Sequence, residues 1–479
     1  MLDIKDKQSS GFIGSRWVAL LPLVVMVVPA VFLSMQGILA TNVLIAGGVI
    51  GLMLGSLLAR CQKNYWQVVI DALCDPTGLL VFSLFLIVGI YSELLTAAKL
   101  GEGLVWLANH MDVGPGLFVL FVYVLSAILG TAMGTSLGTI IIMTPVLFPA
   151  AVLVGVPPPL AAGAILSGAA TGDHLAPVSD TTIISSATQR FKYKDACADI
   201  GEVVRARLLY TLPAFFLSAA LYWGLGSIQE LPAMDASLTM NGSSSPAGLV
   251  MLLPMLAVVV AAIMGSNVFS ALTLGTLAGF VISLSMGLIT PHDIFYVEGQ
   301  AVHGLLVEGA TKNLDTIVMI VLMMGCYGVI RAYGLLETIV ESLKGVAGRT
   351  VRATELTMFG IAWFLNFVLV GLVARIVVIG GPIFDELGKT KDLHPNRRAN
   401  ILDGVANSFS FVVPWHVWPL VMIMTITPLR EIYPFIEMPK ASDFIVSTFY
   451  PLLIWLVMLL SILTGYGRTF EKPENESES

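Results

Sequence analysis

The stretch Gly172-Asp173-His174-Leu175-Ala176-Pro177-Val178-Ser179-Asp180-Thr181-Thr182 places two carboxylates, three hydroxyls and an imidazole inside an otherwise apolar run. Burying such groups costs several kcal/mol unless they are paired, hydrated or bound to a cation. Pro177 lacks a backbone N–H and interrupts a helix, which frees carbonyls on the incoming half-helix and N–H groups on the outgoing one. Asp173 lies at the carbonyl end. Carboxylate, carbonyl and hydroxyl oxygens together suit a hard cation such as Na⁺, with Asp173 and Asp180 as the metal ligands and Ser179, Thr181 and Thr182 as further ion or proton ligands. Asp180 ahead of Thr-Thr and behind a proline also has the pattern of a helix N-cap, so capping and ligation both stand. His174 reads as a hydrogen-bonded spacer.

A second stretch of the same character runs Asp403-Gly404-Val405-Ala406-Asn407-Ser408-Phe409-Ser410-Phe411-Val412-Val413-Pro414-Trp415-His416. Asp403 and Asn407 are four residues apart and share a helical face. With Ser408 and His416 they are substrate-binding candidates, lining the same site from the other half of the chain or pairing within the protein. Gly130-Thr131-Ala132-Met133-Gly134-Thr135-Ser136-Leu137-Gly138-Thr139 reads as a turn of small residues that lets backbones approach. The hydroxyls of Thr135 and Ser136 there can reach an ion. Arg375 lies within a second interrupted apolar region, and a guanidinium there needs a partner. Asp403, another internal acid and the carboxylate of a substrate all qualify.

The elements that must hold these groups follow from composition. The 479 residues are 56% hydrophobic and 12% charged, with mean hydropathy +0.87. Too little charge remains to cover a globular surface, and the apolar runs are of membrane-spanning length. The chain reads as an all-α polytopic protein whose partner is the lipid bilayer. A net charge of -7 leaves no basic footprint for nucleic acid. Ordinary spans begin near residues 17, 43, 77, 208, 246, 268, 314 and 443. The interrupted regions 116–190 and 354–429 are each expected to form a re-entrant hairpin (117–153, 355–387) followed by a broken spanning helix (160–189, 398–429). Pro145, Pro158 and Pro177 recur as Pro382, Pro395 and Pro414 at a constant offset of 237 residues, the mark of an internal duplication. Five crossings and one hairpin per half make the second half inverted. The expected division is a first repeat over 1–228, an external linker over 229–245, a second repeat over 246–467 and a cytoplasmic tail over 468–479 that is disordered. With the N-terminus inside, 20 of the 25 Lys and Arg residues, Arg207 among them, fall on the cytoplasmic side.

The strings GDHLAPVSDTT and GTAMGTSLGT, answered in the second half by Pro414-Trp415 after a small-polar run, resemble the NhaC-type sodium/proton antiporter family over nearly the whole chain. The resemblance implies inverted repeats with paired hairpins and broken helices, and sodium-coupled exchange across a bacterial inner membrane. It maps the family's site onto Asp173, Ser179, Asp180, Thr181 and Thr182, with Thr135 and Ser136 from the hairpin. This chain departs from it at His174 and at Leu402-Asp403-Gly404-Val405-Ala406-Asn407. Na⁺ and H⁺ competing for the same acids would make an antiporter with no cofactor. The alternative is an Na⁺- or H⁺-coupled carrier of a small carboxylate or amino acid held by Arg375, and a homodimer is compatible with either. An enzyme is disfavoured, there being neither an HExxH motif nor a Cys/His pairing.

Overall fold

A computed structural model describes residues 12–13, 15–35, 41–73, 76–100, 102–103, 106, 114–177, 179–228, 245–264, 268–311, 314–335, 350–368, 373–433 and 435–472. The protein is a polytopic, mostly helical membrane protein. Pro115–Met133, Ser136–Leu153 and Ile200–Ile228 are each long and apolar enough to cross a bilayer. Further apolar helices include Leu21–Met35, Thr41–Leu58, Leu252–Ile263, Val268–Ser285, Leu314–Ala332 and Phe449–Thr464. The linker expected over 229–245 lies outside the described residues except at Ser245.

Helices Pro115–Met133 and Ser136–Leu153 meet in a tight turn at Gly134, which has φ 63°. That left-handed conformation favours glycine. The two arms are similarly apolar in composition, yet 83% of the apolar window of Ser136–Leu153 is buried inside the protein, against 44% for Pro115–Met133 and 28% for Ile200–Ile228. The second arm is therefore packed in the interior, whereas Ile200–Ile228 presents a lipid face. Helix Pro158–Leu175 then ends at Ala176, and Asp180–Thr188 resumes after Ser179. Later, Val351–Val368 and Val373–Lys389 precede Pro395–Phe409, which breaks over Ser410–His416 before Val417–Ile432. Pro158 and Pro395, 237 residues apart, both open their helices at the first position, where the missing N–H costs nothing.

Two expectations need correcting. The tail does not leave the fold at Arg468. Its guanidinium lies 2.5 Å from buried Glu355, the Thr469 carbonyl accepts from the His394 N–H, and Glu471 accepts from the backbone N–H of Lys192 at 2.8 Å. A carboxylate and two backbone edges are thus satisfied by residues 468–471, which orders them. Arg207 is not a surface cation either; it is 2% exposed and lies in the interior.

His394 joins this seam. Its Nδ1 accepts from the Asn396 N–H at 3.2 Å, which needs a neutral ring, and burial holds its pKa below the ordinary histidine value. A depressed folded pKa means that this stabilisation is complete above the unfolded value of about 6.5 and is lost as pH falls below it. The thermal stability of the full chain is expected to fall from about pH 7 to about pH 5.5. His394→Asn, which keeps a capping side chain, should flatten that slope; an unchanged slope would remove His394 from the account.

Candidate functional site

The hairpin tip reaches the first helix break because small residues face each other there. A Cβ on Gly172 would lie 2.5 Å from the Cα and carbonyl carbon of Gly130 and from the Thr131 nitrogen. These are backbone atoms and cannot swing aside. Gly172→Val is therefore expected to separate the hairpin from the break, at a cost of about 1–3 kcal/mol or more. The check is a lowered unfolding temperature together with loss of any Na⁺ effect on it.

The contact delivers Ser136, the first residue of the second hairpin arm, to Asp173, where its Oγ donates to Oδ2 at 2.7 Å. Ser179, the N-cap of the resumed half-helix, donates to Oδ1 at 2.5 Å. Its side chain therefore serves Asp173 rather than its own helix. From Ser179 the chain continues to the Thr181 hydroxyl at 3.0 Å, which accepts from Asn407 Nδ2 at 2.9 Å. The same amide nitrogen donates to Asp403 Oδ1 at 2.8 Å. Both donors of one asparagine thus tie the site of one broken helix to the other.

Asp403 lies in a different environment. Arg207 Nη2 is 2.6 Å from its Oδ2, with both side chains nearly solvent-free. Arg207 also donates to Thr182 Oγ1 at 2.8 Å, to the His174 carbonyl at 2.9 Å and, through Nε, to Asn400 Oδ1 at 2.9 Å. Thr182 donates on to Asp403 at 3.3 Å. His174 bridges Tyr450 Oη and the Asp403 carbonyl, at 2.9 and 3.2 Å. Hydroxyl, amide and guanidinium donors in this network converge on two buried carboxylates, Asp173 and Asp403. Only Asp403 has a cation beside it among the described residues.

The other candidates fall outside the network. Asp180 is exposed at the first position of its half-helix, where its charge faces the positive helix end. Thr135 is half-buried at the hairpin turn, and its carbonyl accepts from Thr139. Ser408 donates to the Val405 carbonyl, and His416 is buried at the N-cap of Val417–Ile432. Arg375 is in the first turn of Val373–Lys389, and its side chain lies outside the described residues. The guanidinium on Asp403 comes from Arg207, which the charge distribution of the sequence assigns to the cytoplasmic side.

Gly134-Thr135-Ser136-Leu137-Gly138 also spells the GxSxG pattern of hydrolases, but it sits between two helices rather than on a strand-to-helix elbow. The Ser136 hydroxyl contacts Asp173 and the Ala169 carbonyl, not an imidazole. Among the described residues no three His, Cys, Asp or Glu side chains gather as a metal site. Oxygen ligands around Asp173 would come from hydroxyls, which suits a monovalent hard cation.

A hairpin tip packed against a broken helix, with carboxylates at the break and a second broken helix opposite, defines a membrane transport protein. The chain belongs to the Na⁺/H⁺ antiporter family, whose sequence model matches residues 12–196 and 194–435. This is a family of transporters, not a class of enzymes. The chain is 26% identical over 238 residues to the Malate-2H(+)/Na(+)-lactate antiporter of Bacillus subtilis, covering 45% of this chain and 49% of that one. It is 24% identical to the Na(+)/H(+) antiporter NhaC of Alkalihalophilus pseudofirmus over 55% of this chain and 58% of that one. The Arginine/ornithine antiporter ArcD of Halobacterium salinarum is 24% identical over 89% of this chain and 88% of that protein. The match thus spans about half the length of the first two relatives and most of the third. A solved structure, the YdaH transporter of Alcanivorax borkumensis, is similar over 82% of this chain and 88% of that one, at 13% identity and a TM-score of 0.39.

Proposed function

We propose that this protein exchanges Na⁺ for H⁺ across the membrane, the two cations taking turns on Asp173. One observation carries the reading: of two buried, hydrogen-bonded carboxylates, Asp403 is neutralised by Arg207, and Asp173 receives only hydroxyls. The network therefore holds one uncompensated negative charge among the described residues. A bare charge in a low-dielectric interior is costly, so the site favours an occupant. Na⁺ and H⁺ satisfy it equally in charge but cannot both be present. That exclusion couples outward movement of one to inward movement of the other.

In this reading Ser136, Ser179 and Thr181 complete the Na⁺ shell, and Asp180 and Thr135 lie at its approach. The two halves, 1–228 and 246–467 joined by 229–245, are inverted repeats, a division supported by the matched proline positions and by the recurrence of hairpin then broken helix. Arg190, Lys192, Arg398 and Arg468 meet at one end of the bundle through shared contacts with Asp385, Asp392, Glu355 and Glu471. The positive-inside tendency makes that end cytoplasmic, and with it both termini, in a bacterial inner membrane. In everted vesicles holding a pH gradient, addition of Na⁺ or Li⁺ is expected to dissipate it. Vesicles that respond to neither ion from mildly acid to alkaline pH would overturn the proposal.

A second reading is supported by the names of two relatives, which are antiporters of organic solutes. Here a small carboxylate or amino acid moves with Na⁺ or H⁺, its carboxylate held by Arg375. Sodium-dependent uptake of a labelled solute that disappears in Arg375→Gln would favour it; full Na⁺/H⁺ exchange in that variant would set it aside.

A further inference from the structure

At the cationic end of the bundle a cavity of about 670 Å³ opens beside the start of Ile200–Ile228. Its outer wall includes Leu209 and Leu212, which are 41% and 42% exposed on the lipid face of that helix. Its rim carries Arg205, exposed and without an ion pair to a described carboxylate. Glu202, one turn earlier, instead accepts from Asn396 Nδ2 at 3.3 Å.

The floor is unusual in charge. Arg397 lines the cavity and is 2% exposed, with Nε 2.8 Å from Glu355 Oε1 and Nη1 donating to Tyr210 Oη and Ser461 Oγ. The other oxygen of Glu355 is taken by Arg468 at 2.5 Å. Two guanidiniums thus share one carboxylate, and Arg397 Nη2 is buried with no hydrogen-bond partner among the described residues. A cavity with surplus positive charge at its floor, an exposed cation at its rim and leucines facing the acyl chains matches an amphipathic anion.

We infer that this cavity binds an anionic glycerophospholipid, its phosphate between Arg205 and Arg397 and its acyl chain along the Leu209–Pro213 face. The exposed leucines are what distinguish a lipid from free phosphate, which would leave that wall to water. Asn400 also lines the cavity and holds Arg207, so the lipid would sit one hydrogen bond from the Asp403 pair. The inference does not require that the transported ion be Na⁺.

Native mass spectrometry of the purified full chain, titrated with phosphatidylglycerol and with phosphatidylcholine of the same acyl chains, tests it. A tightly retained phosphatidylglycerol adduct is expected, weakened roughly fivefold by Arg205→Gln. Arg352→Gln, which removes an exposed cation from the same end of the bundle, should leave it unchanged. Equal retention of the two lipids, full retention in Arg205→Gln or equal loss in Arg352→Gln would overturn the assignment. So would equal competition by soluble glycerol phosphate, which would show that the acyl chain has no part.

Discussion

Asp173→Asn is expected to give a folded protein in which Na⁺ no longer dissipates a pH gradient. Asparagine keeps the shape of the side chain, and the Ser136 and Ser179 hydroxyls can rotate to its amide, so the hairpin stays on the break. What is lost is the only charge in the network that lacks a fixed counter-charge among the described residues. Na⁺ loses its anionic ligand and the proton its acceptor, so exchange should fall to the background of empty vesicles. Binding can be read apart from transport. A ligand at ten times its dissociation constant stabilises the folded state by about 1.4 kcal/mol, so Na⁺ should raise the unfolding temperature of the parent protein. It should leave Asp173→Asn where it is, and that variant without Na⁺ should be at least as stable as the parent, because an uncompensated buried carboxylate has been removed. If Na⁺ shifts both proteins equally, the ion binds elsewhere.

The interruptions of the site were legible in the sequence because prolines, glycines and acids inside apolar runs have few structural excuses. Hairpin turn, both breaks and the Asp403–Asn407 pairing stand where the spacing puts them. Asp180 was read both as a ligand beside Asp173 and as a helix N-cap, but Ser179 takes the N-cap position and Asp180 the first helical one, where it is exposed; half a helical turn decides which face a side chain takes, and spacing around a proline break does not give it. Arg207 was missed for a different reason. At the start of an apolar run a basic residue ordinarily marks the membrane edge, and Arg205 there is exposed. The discriminating signal is periodic. Arg207, Tyr210, Thr211, Ala214, Ser218 and Tyr222 fall on one stripe of Ile200–Ile228, and all are buried. A polar stripe at helical spacing along a span points into the protein, and Arg207 is its first member.

Arg207→Gln is expected to be the more damaging change to stability. It leaves Asp403 buried and unpaired, and removing one partner of a buried ion pair costs about 3–5 kcal/mol. Three further hydrogen bonds, to Thr182, Asn400 and the His174 carbonyl, go with it. Asp403→Asn should be costly too, because it strands the guanidinium. The double variant Arg207→Gln/Asp403→Asn removes both charges and leaves two amides able to bond each other, so most of the loss should be recovered. The double-mutant cycle of unfolding free energies measures the coupling directly. Transport then distinguishes a structural pair from a second ion site. If Arg207 acts as a built-in cation that holds Asp403 out of the exchange, the double variant keeps a Na⁺ response through Asp173, with the number of protons moved per Na⁺ the same as in the parent. Arg207→Gln alone, where it folds, exposes a second acid, and the number of protons moved per Na⁺ should change. A double variant as unstable as either single, or one without any Na⁺ response, would mean that Asp403 takes part in ion binding itself and that Arg207 is displaced during the cycle.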